Sequence, residues 1–193
     1  MTRRRVAVTG LGLVSPYGGD HGDFFARLLA GESAIRFLRT DDVPRPLAMP
    51  FVACPGFSAD AALGRALAGT LDRFAQLGVA AAFAAWDDAG FPRRGVAADR
   101  ESWGVTWGTA LGGTLAYEKG YRDLWQRGRE RLSPLSLILG LNNAANAQIS
   151  IQLGLGGVSM SHTVACASSA IAIGEAFRRV RSGEAPVMVT GGS

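Results

Sequence analysis

VACASSA, at residues 164–170, lies where the alternation of a strand gives way to the spacing of a helix. Before it, residues 158–164 place apolar side chains and a histidine on one face and Ser or Thr on the other, which predicts a strand. After it, apolar residues recur at helical spacing through Val180. Arginines then suit the negative end of a helix, and Gly183 can end it in the left-handed conformation. The segment therefore predicts a strand-to-helix corner.

Cys166 occupies this corner and is the first candidate for chemistry. The positive end of the helix dipole favours a thiolate, which is the nucleophilic form of cysteine. Backbone N–H groups also converge at a helix start and could hold a developing oxyanion. Most free cysteines, however, are small buried hydrophobic residues. The position alone leaves a nucleophile and a core residue as even alternatives.

The composition is that of an ordinary globular protein, and it narrows the possible partners. The chain has 193 residues, 48% of them hydrophobic and 19% charged, with a net charge of +4, which is ample for one domain. The positive charge suits an acidic partner, and scattered arginines without a base-reading motif argue against nucleic acid. Two cysteines are too few for a disulfide framework, so we expect a reducing cytoplasm. No stretch is apolar enough for a membrane span.

Periodicity predicts strands and helices that alternate as in α/β layered folds. The predicted strands are 4–10, 103–108, 158–165 and 186–191, and the predicted helices are 20–30, 70–89, 114–127, 141–153 and 167–182. Residues 36–62, rich in proline, indicate a surface excursion. The 167–182 helix is apolar or small nearly all round, as expected between two layers. Without a companion layer we expect it to expose an apolar patch, so that the chain aggregates or dimerises.

A pair of glycines and a series of aromatic residues could indicate ligand binding, but both are better explained by structure. Gly10-Leu11-Gly12 follows a predicted strand, but Ser15 and Pro16 replace the third glycine and the helix start of a dinucleotide loop. We therefore assign no cofactor and no metal. A series of aromatic residues has strand or helix spacing, which favours core packing over stacking on bases. The series consists of Trp103, Trp107, Tyr117, Tyr121 and Trp125.

Further segments accompany the corner in a fixed order along the chain. They are VAVTGLGLVSPYG from residue 6, GESAI at 31–35, LDRFAQLGVAAAFAAWDDAG at 71–90, WGVTWGTALGG at 103–113, SPLSLILGLNNAANAQISIQLGLGG at 133–157 and, after the corner, PVMVTGGS at 186–193. Together with VACASSA, these segments resemble the β-ketoacyl-(acyl carrier protein) synthases. That family contains the condensing enzymes of fatty acid and polyketide assembly.

The resemblance implies a fold and a set of roles. The fold would be thiolase-like, with a mixed sheet flanked by helices, and residues 1–193 would form its N-terminal half. Cys166 would take the acyl chain as a thioester, and its own N–H would supply half of the oxyanion hole. Leu111 matches a position that lines the acyl pocket, and 133–143 matches a segment at the homodimer interface. The partners would be an acyl carrier protein bearing an acyl or malonyl thioester and a second subunit, in a homodimer or a ketosynthase-like heterodimer.

The family's two histidine motifs, its lysine and its second glycine-rich loop lie in a C-terminal half that this sequence does not include. Of the two histidines present, His162 would lie about 13 Å from Cys166 along an extended strand. General-base contact needs about 3 Å, so we interpret His162 as a packed residue and His21 as an exposed turn residue. We expect the isolated chain to be inactive or incomplete in condensation. The alternative is a non-catalytic binding or dimerisation subunit, although such family members typically lack the cysteine.

Overall fold

The computed structural model describes residues 4–40, 47–93 and 100–193. The helices are α1 (His21–Leu29), α2 (Ala59–Leu63), α3 (Arg65–Ala68), α4 (Arg73–Asp88), α5 (Thr114–Trp125), α6 (Leu135–Gly140), α7 (Ala144–Leu153) and α8 (Ser168–Ser182). The strands are β1 (Arg36–Thr40), β2 (Leu47–Phe51), β3 (Gly104–Gly108), β4 (Ser159–His162) and β5 (Met188–Gly192). No helix in these ranges is long and apolar enough to cross a membrane.

A three-stranded parallel sheet, in the order β4-β3-β5, forms the centre of the described fold. Val105 of the middle strand pairs with Ser159 on one side and with Val189 on the other. All five residues of β3 are buried, as expected of a parallel strand that is covered on both faces. The structure thus has the parallel sheet and flanking helices of an α/β layered fold, and an antiparallel pair, β1 with β2, lies apart from that sheet.

Alternate residues of β3 show which helices cover which face. Val105 belongs to the main apolar cluster, which includes Val79 of α4 and Ile149 of α7. Thr106 points the other way and donates its hydroxyl to the Ala172 carbonyl of α8 at 2.9 Å. Because successive strand residues face opposite sides of a sheet, α4 and α7 cover one face and α8 covers the other. Full burial of a side chain such as Ile149 stabilises the fold by about 1.5–3 kcal/mol.

Helix α8 lies close to the sheet at its first turn. A Cβ added to Gly108 would lie 2.3 Å from the Ser168 carbonyl carbon, and one added to Gly192 would lie 2.5 Å from the Ser169 Cβ. Further along the same face, Ala172 and Ala176 are buried. Small residues on both partners therefore let the backbone of α8 rest on the carboxyl ends of β3 and β5.

The predicted strand at 4–10 is wrong, since residues 4–10 pair with no strand of the described structure. The segment instead runs against α4. Leu11 donates its N–H to Asp88 at 2.8 Å, and a Cβ on Gly12 would lie 1.9 Å from the Ala81 carbonyl oxygen. Gly10 makes a similar backbone contact with Ala85. The two glycines thus allow close packing of this segment against α4.

The structure shortens one further predicted strand and contains elements that were not predicted. The predicted strand at 158–165 ends at His162, because the chain turns sharply after it. The surface excursion at 36–62 contains, in its described part, the β1–β2 hairpin and α2, with Arg36 opposite Phe51, and residues 41–46 lie outside the described residues. Helices α3 and α6 were not predicted.

The prediction that the aromatic series packs in the core is wrong for some of its members. Trp107 is buried, and Trp103 packs in an aromatic cluster with Trp86 and Phe91, with ring centroids 5.1–5.8 Å apart. Tyr121 and Trp125 of α5 are instead exposed and stack on each other at 4.8 Å, and Tyr117 is also exposed. Helical spacing put these three on one face of α5, but it could not tell whether another layer covers that face.

We expect Gly108→Ala to lower the free energy of unfolding by about 3 kcal/mol, because the new methyl group meets the α8 backbone, which cannot move aside as a side chain would. Urea unfolding followed by circular dichroism measures the change. Gly174→Ala is the matched control, since Gly174 lies mid-α8 with nothing within 4 Å of an added Cβ. The control should gain about 0.5–1 kcal/mol. Equal effects of the two substitutions would contradict the close contact.

The outer face of α8 carries the apolar patch that the sequence predicted. Ile171, Ile173 and Phe177 are 44%, 52% and 43% exposed. We expect the isolated chain to self-associate through such surfaces, and sedimentation velocity measures its oligomeric state. Ile173→Lys with Phe177→Lys should shift the distribution towards monomer, whereas Gln152→Lys on the exposed side of α7 adds charge elsewhere and should not. A wild-type chain that sediments as a stable monomer at micromolar concentration would disprove this expectation.

Candidate active site

Cys166 lies in the corner between the end of β4 and the start of α8, and it is exposed. Two neighbouring strand ends join this corner. The Thr109 N–H donates to the His162 carbonyl at 3.0 Å, and the Ser193 N–H donates to the Gly108 carbonyl at 3.0 Å. The carboxyl ends of β3, β4 and β5 therefore meet beside Cys166. In open α/β sheets this edge is where ligands bind.

The corner contains a strained residue directly before the cysteine. Ala165 has φ +49°, the only positive φ of a non-glycine residue in the described ranges. For an L-residue this left-handed conformation costs about 1–2 kcal/mol. Two backbone hydrogen bonds close the turn around it, from the Ala167 N–H to the Val164 carbonyl at 3.1 Å and from the Ser168 N–H to the Ala165 carbonyl at 3.2 Å. Such strain persists only where the surroundings hold it.

Ser168 supplies a second pair of bonds to the same turn. Its hydroxyl accepts from the Val164 N–H at 2.8 Å and donates to the Ala165 carbonyl at 2.7 Å. The side chain is only 3% exposed, so water does not compete for these bonds. Ser168 was not among the residues predicted from the sequence. The available signal was a serine two residues after the cysteine, because Ser side chains often bond to nearby turn backbone.

Leu111, the predicted pocket-lining residue, lies in the turn after β3 and is 73% exposed. The turn is held on two sides. Gly112 has φ +65°, and a Cβ there would lie 2.1 Å from the Asn142 side-chain oxygen. At the start of α5, the buried Asp72 carboxylate accepts the Ala116 N–H at 2.7 Å, a favourable place for negative charge. The structure thus brings the turn of Leu111 and the corner of Cys166 to the same edge of the sheet.

Two open cavities lie beyond this edge. One, of about 440 Å³, is lined by Tyr117, Gly140, Leu141, Asn142, Asn143, Ser161 and Thr163. The other, of about 450 Å³, runs along α5 past Tyr117, Tyr121 and Trp125. The predicted interface segment, 133–143, contributes to the first cavity, and its Leu135, Leu137 and Ile138 are exposed. Neither cavity is lined by Cys166 or Leu111.

The two histidines do not form a site with Cys166 in the described structure. His21 is exposed, as expected, but it begins α1 and is not a turn residue. His162 is half-buried, and its Nε2 is shielded from solvent without a hydrogen-bond partner among the described residues. Because β4 ends at His162, the extended spacing assumed between His162 and Cys166 is wrong. The structure still shows no hydrogen bond between the two side chains in the described ranges.

On α8, away from Cys166, Glu175 is a carboxyl whose pKa is lowered by its neighbours. Arg178 is hydrogen-bonded to Glu175 and lowers the pKa of that carboxyl below its usual range, against an opposing effect of burial. The charges of Arg179 and His162 act in the same direction as Arg178. These groups stabilise a charged Glu175 on the helix. The described residues contain no group of three His, Cys, Asp or Glu side chains that could hold a metal ion.

We expect iodoacetamide to alkylate Cys166 before Cys54, because Cys166 is exposed and Cys54 is half-buried. Peptide mass spectrometry after short exposures measures both rates in one sample. In denaturant the two rates should converge, which provides the control. Equal rates in the folded protein would contradict the exposed position of Cys166.

Comparison with known proteins agrees with the resemblance seen in the sequence. The family model described as Beta-ketoacyl synthase, N-terminal domain, matches residues 3–193. A 3-oxoacyl-[acyl-carrier-protein] synthase 2 of Staphylococcus aureus is 32% identical over 191 residues, covering 98% of this chain and 45% of the relative. The chain therefore spans less than half the length of that relative.

Solved structures show the same similarity. A β-ketoacyl synthase from Burkholderia phymatum has 26% identity and a TM-score of 0.75, and the match covers 96% of this chain and 45% of that one. The ishigamide ketosynthase/chain length factor has 26% identity and a TM-score of 0.72, with 92% and 49% covered.

Proposed function

Because this chain belongs to the β-ketoacyl synthase family, we propose that Cys166 accepts an acyl group as a thioester, in the first half of a decarboxylative condensation in fatty acid or polyketide synthesis. The observation that carries the proposal is the exposed thiol at the corner between β4 and α8. A helix start is one of the positions where reactive cysteines are found in proteins.

The proposed acylation proceeds by attack of the Cys166 thiolate on the carbonyl carbon of an acyl thioester. The carbonyl oxygen becomes an oxyanion in the tetrahedral intermediate, and the N–H of Cys166 would supply half of the oxyanion hole that stabilises it. Collapse of the intermediate breaks the original C–S bond, and the carrier sulfur leaves as a thiolate, which takes up from solvent a proton equivalent to the one that the Cys166 thiol lost. Leu111 would border the acyl chain, in line with the family position that it matches.

The second half of the proposed reaction uses a malonyl thioester. Loss of carbon dioxide leaves a carbanion, which attacks the thioester carbonyl on Cys166, releases the thiolate and gives a β-ketoacyl product. The described residues place neither histidine in hydrogen-bond contact with Cys166. We therefore propose that the 193-residue chain alone shows little acylation and no condensation.

We propose an acyl carrier protein as the acyl donor and a second synthase-like subunit as the structural partner. The name of the relative from Staphylococcus aureus, 3-oxoacyl-[acyl-carrier-protein] synthase 2, includes an acyl carrier protein, and the net charge of +4 favours an acidic partner. The similar ishigamide structure is a ketosynthase with a chain length factor. The exposed apolar side chains of α6 suit a subunit contact, in a homodimer or a heterodimer.

The alternative is a non-catalytic subunit of a ketosynthase complex, which the likeness to a ketosynthase/chain length factor structure favours. The retained and exposed Cys166 opposes it, because a subunit that only binds needs no thiol at this corner. Replacement of Cys166 by alanine in the producing organism separates the two proposals. A binding subunit should tolerate the replacement, and an acyl-accepting enzyme should lose product formation.

We expect the full product of the gene that encodes this chain to gain one acyl group on Cys166 when incubated with hexanoyl-carrier protein. Intact mass and peptide mapping identify the modified residue. Cys166→Ala should abolish the gain in mass, and Cys54→Ala is the matched control that should retain it. The 193-residue chain, assayed in parallel, should show little acylation. Acylation that survives Cys166→Ala, or no acylation of the full gene product, would refute the proposed role.

A further inference from the structure

Ser168 makes a set of contacts that an ordinary helix residue does not need. Its hydroxyl bonds to two backbone groups that precede Cys166, accepting from the Val164 N–H at 2.8 Å and donating to the Ala165 carbonyl at 2.7 Å. The neighbouring Ser169 is exposed. The buried hydroxyl therefore belongs to the corner as much as to the helix.

These contacts differ from those of a helix cap. A capping side chain accepts from N–H groups inside the first turn of its own helix. The cap position of α8 is Ala167, which makes no side-chain hydrogen bond. The Ser168 hydroxyl reaches backwards, out of the helix, to residues that precede the cysteine. Its bonds fix the conformation of the corner and leave the first turn of α8 as it is.

We propose that Ser168 is the positioning residue of Cys166. Its hydroxyl holds Ala165 at φ +49°, and this left-handed residue turns the chain so that Cys166 stands at the start of α8. Without the hydroxyl, the two short backbone bonds alone have to hold a conformation that L-residues disfavour. Ala165 then relaxes, and Cys166 moves away from the positive end of the helix. The chemical importance of that position rests on the proposed function, but the geometric claim does not.

Alkylation of the two cysteines tests the positioning role in the full gene product. We expect Ser168→Ala to slow carbamidomethylation of Cys166 about fivefold relative to Cys54, the size of effect that a helix dipole produces. Cys54 acts as an internal reference for general unfolding. Ser169→Ala is the matched control, with a ratio like that of the wild type. An unchanged ratio, or a faster reaction at Cys166, would overturn the proposal.

The same substitution in an Ala165→Gly variant separates a positioning role of Ser168 from a merely structural one. Glycine adopts positive φ without a steric penalty, so after Ala165→Gly residue 165 no longer needs the two Ser168 hydrogen bonds, here called the clamp, to hold its conformation. In that background, Ser168→Ala should change the ratio by less than about twofold, which is a non-additive effect of coupled residues. A full fivefold loss there would show that Ser168 does not act through Ala165. If Ser168→Ala does not fold, Ser168→Thr decides, because a hydroxyl that restores the wild-type ratio supports the clamp and a lowered ratio overturns it.

Acyl transfer and alkylation distinguish the two proposals from each other. Iodoacetamide modifies any accessible thiol and needs no oxyanion site, so its ratio reports the position of Cys166 alone. If the wild type resists acylation while Ser168→Ala still lowers the alkylation ratio, the proposed function fails and the positioning role stands. If acylation occurs on Cys166 and the ratio is insensitive to Ser168, the positioning role fails alone.

Discussion

The site depends on the contact between the first turn of α8 and the carboxyl ends of β3 and β5. Gly108 and Gly192 leave no room for a side chain at that contact, since an added Cβ would meet the helix at 2.3 and 2.5 Å. The helix start is thereby fixed against the sheet, and the corner that precedes it can occupy one place only. Hydrogen bonds from Thr109 and Ser193 then tie the other strand ends to the same edge. Close backbone packing thus sets where on the sheet edge the corner of Cys166 lies, independently of side-chain hydrogen bonds.

Local strain at the corner is compatible with this packing. Ala165 is held at a positive φ by two backbone bonds and by both functions of the Ser168 hydroxyl. Burying a hydroxyl costs free energy unless it is hydrogen-bonded, and here both its donor and its acceptor capacity are used. One turn of the fold therefore contains both a buried polar side chain and a disfavoured backbone dihedral. An exposed thiol beside such a turn is what a covalent site needs, because the sulfur stays accessible while its backbone is rigid.

The sequence predicted the features that repeat along the chain and missed those that depend on distant neighbours. Helices α4, α5 and α8 and strand β3 agree with their periodicity to within three residues at each end. The strand at 4–10 was wrong because a strand exists only where another strand pairs with it, and no pattern within the segment reports that. The exposure of Trp125 was missed because helical spacing identifies a face without showing what covers it. The role of Ser168 was not predicted, because hydrogen bonds between a hydroxyl and the backbone leave no repeating pattern in the sequence.

If Cys166 accepts an acyl group as proposed, the described fold positions its thiol but encloses little space for a substrate. Cys166 is exposed, Leu111 is 73% exposed, and the outer faces of α5, α6 and α8 carry exposed apolar side chains. Each methylene of an acyl chain that leaves water contributes about 0.8 kcal/mol, so selection among chain lengths needs enclosing apolar surface. Leu111 can provide only one side of such an enclosure. Under the proposed function, further walls would come from whatever packs against these apolar faces, and acyl selectivity would then belong to the assembled protein, while the position of the sulfur is set within this chain.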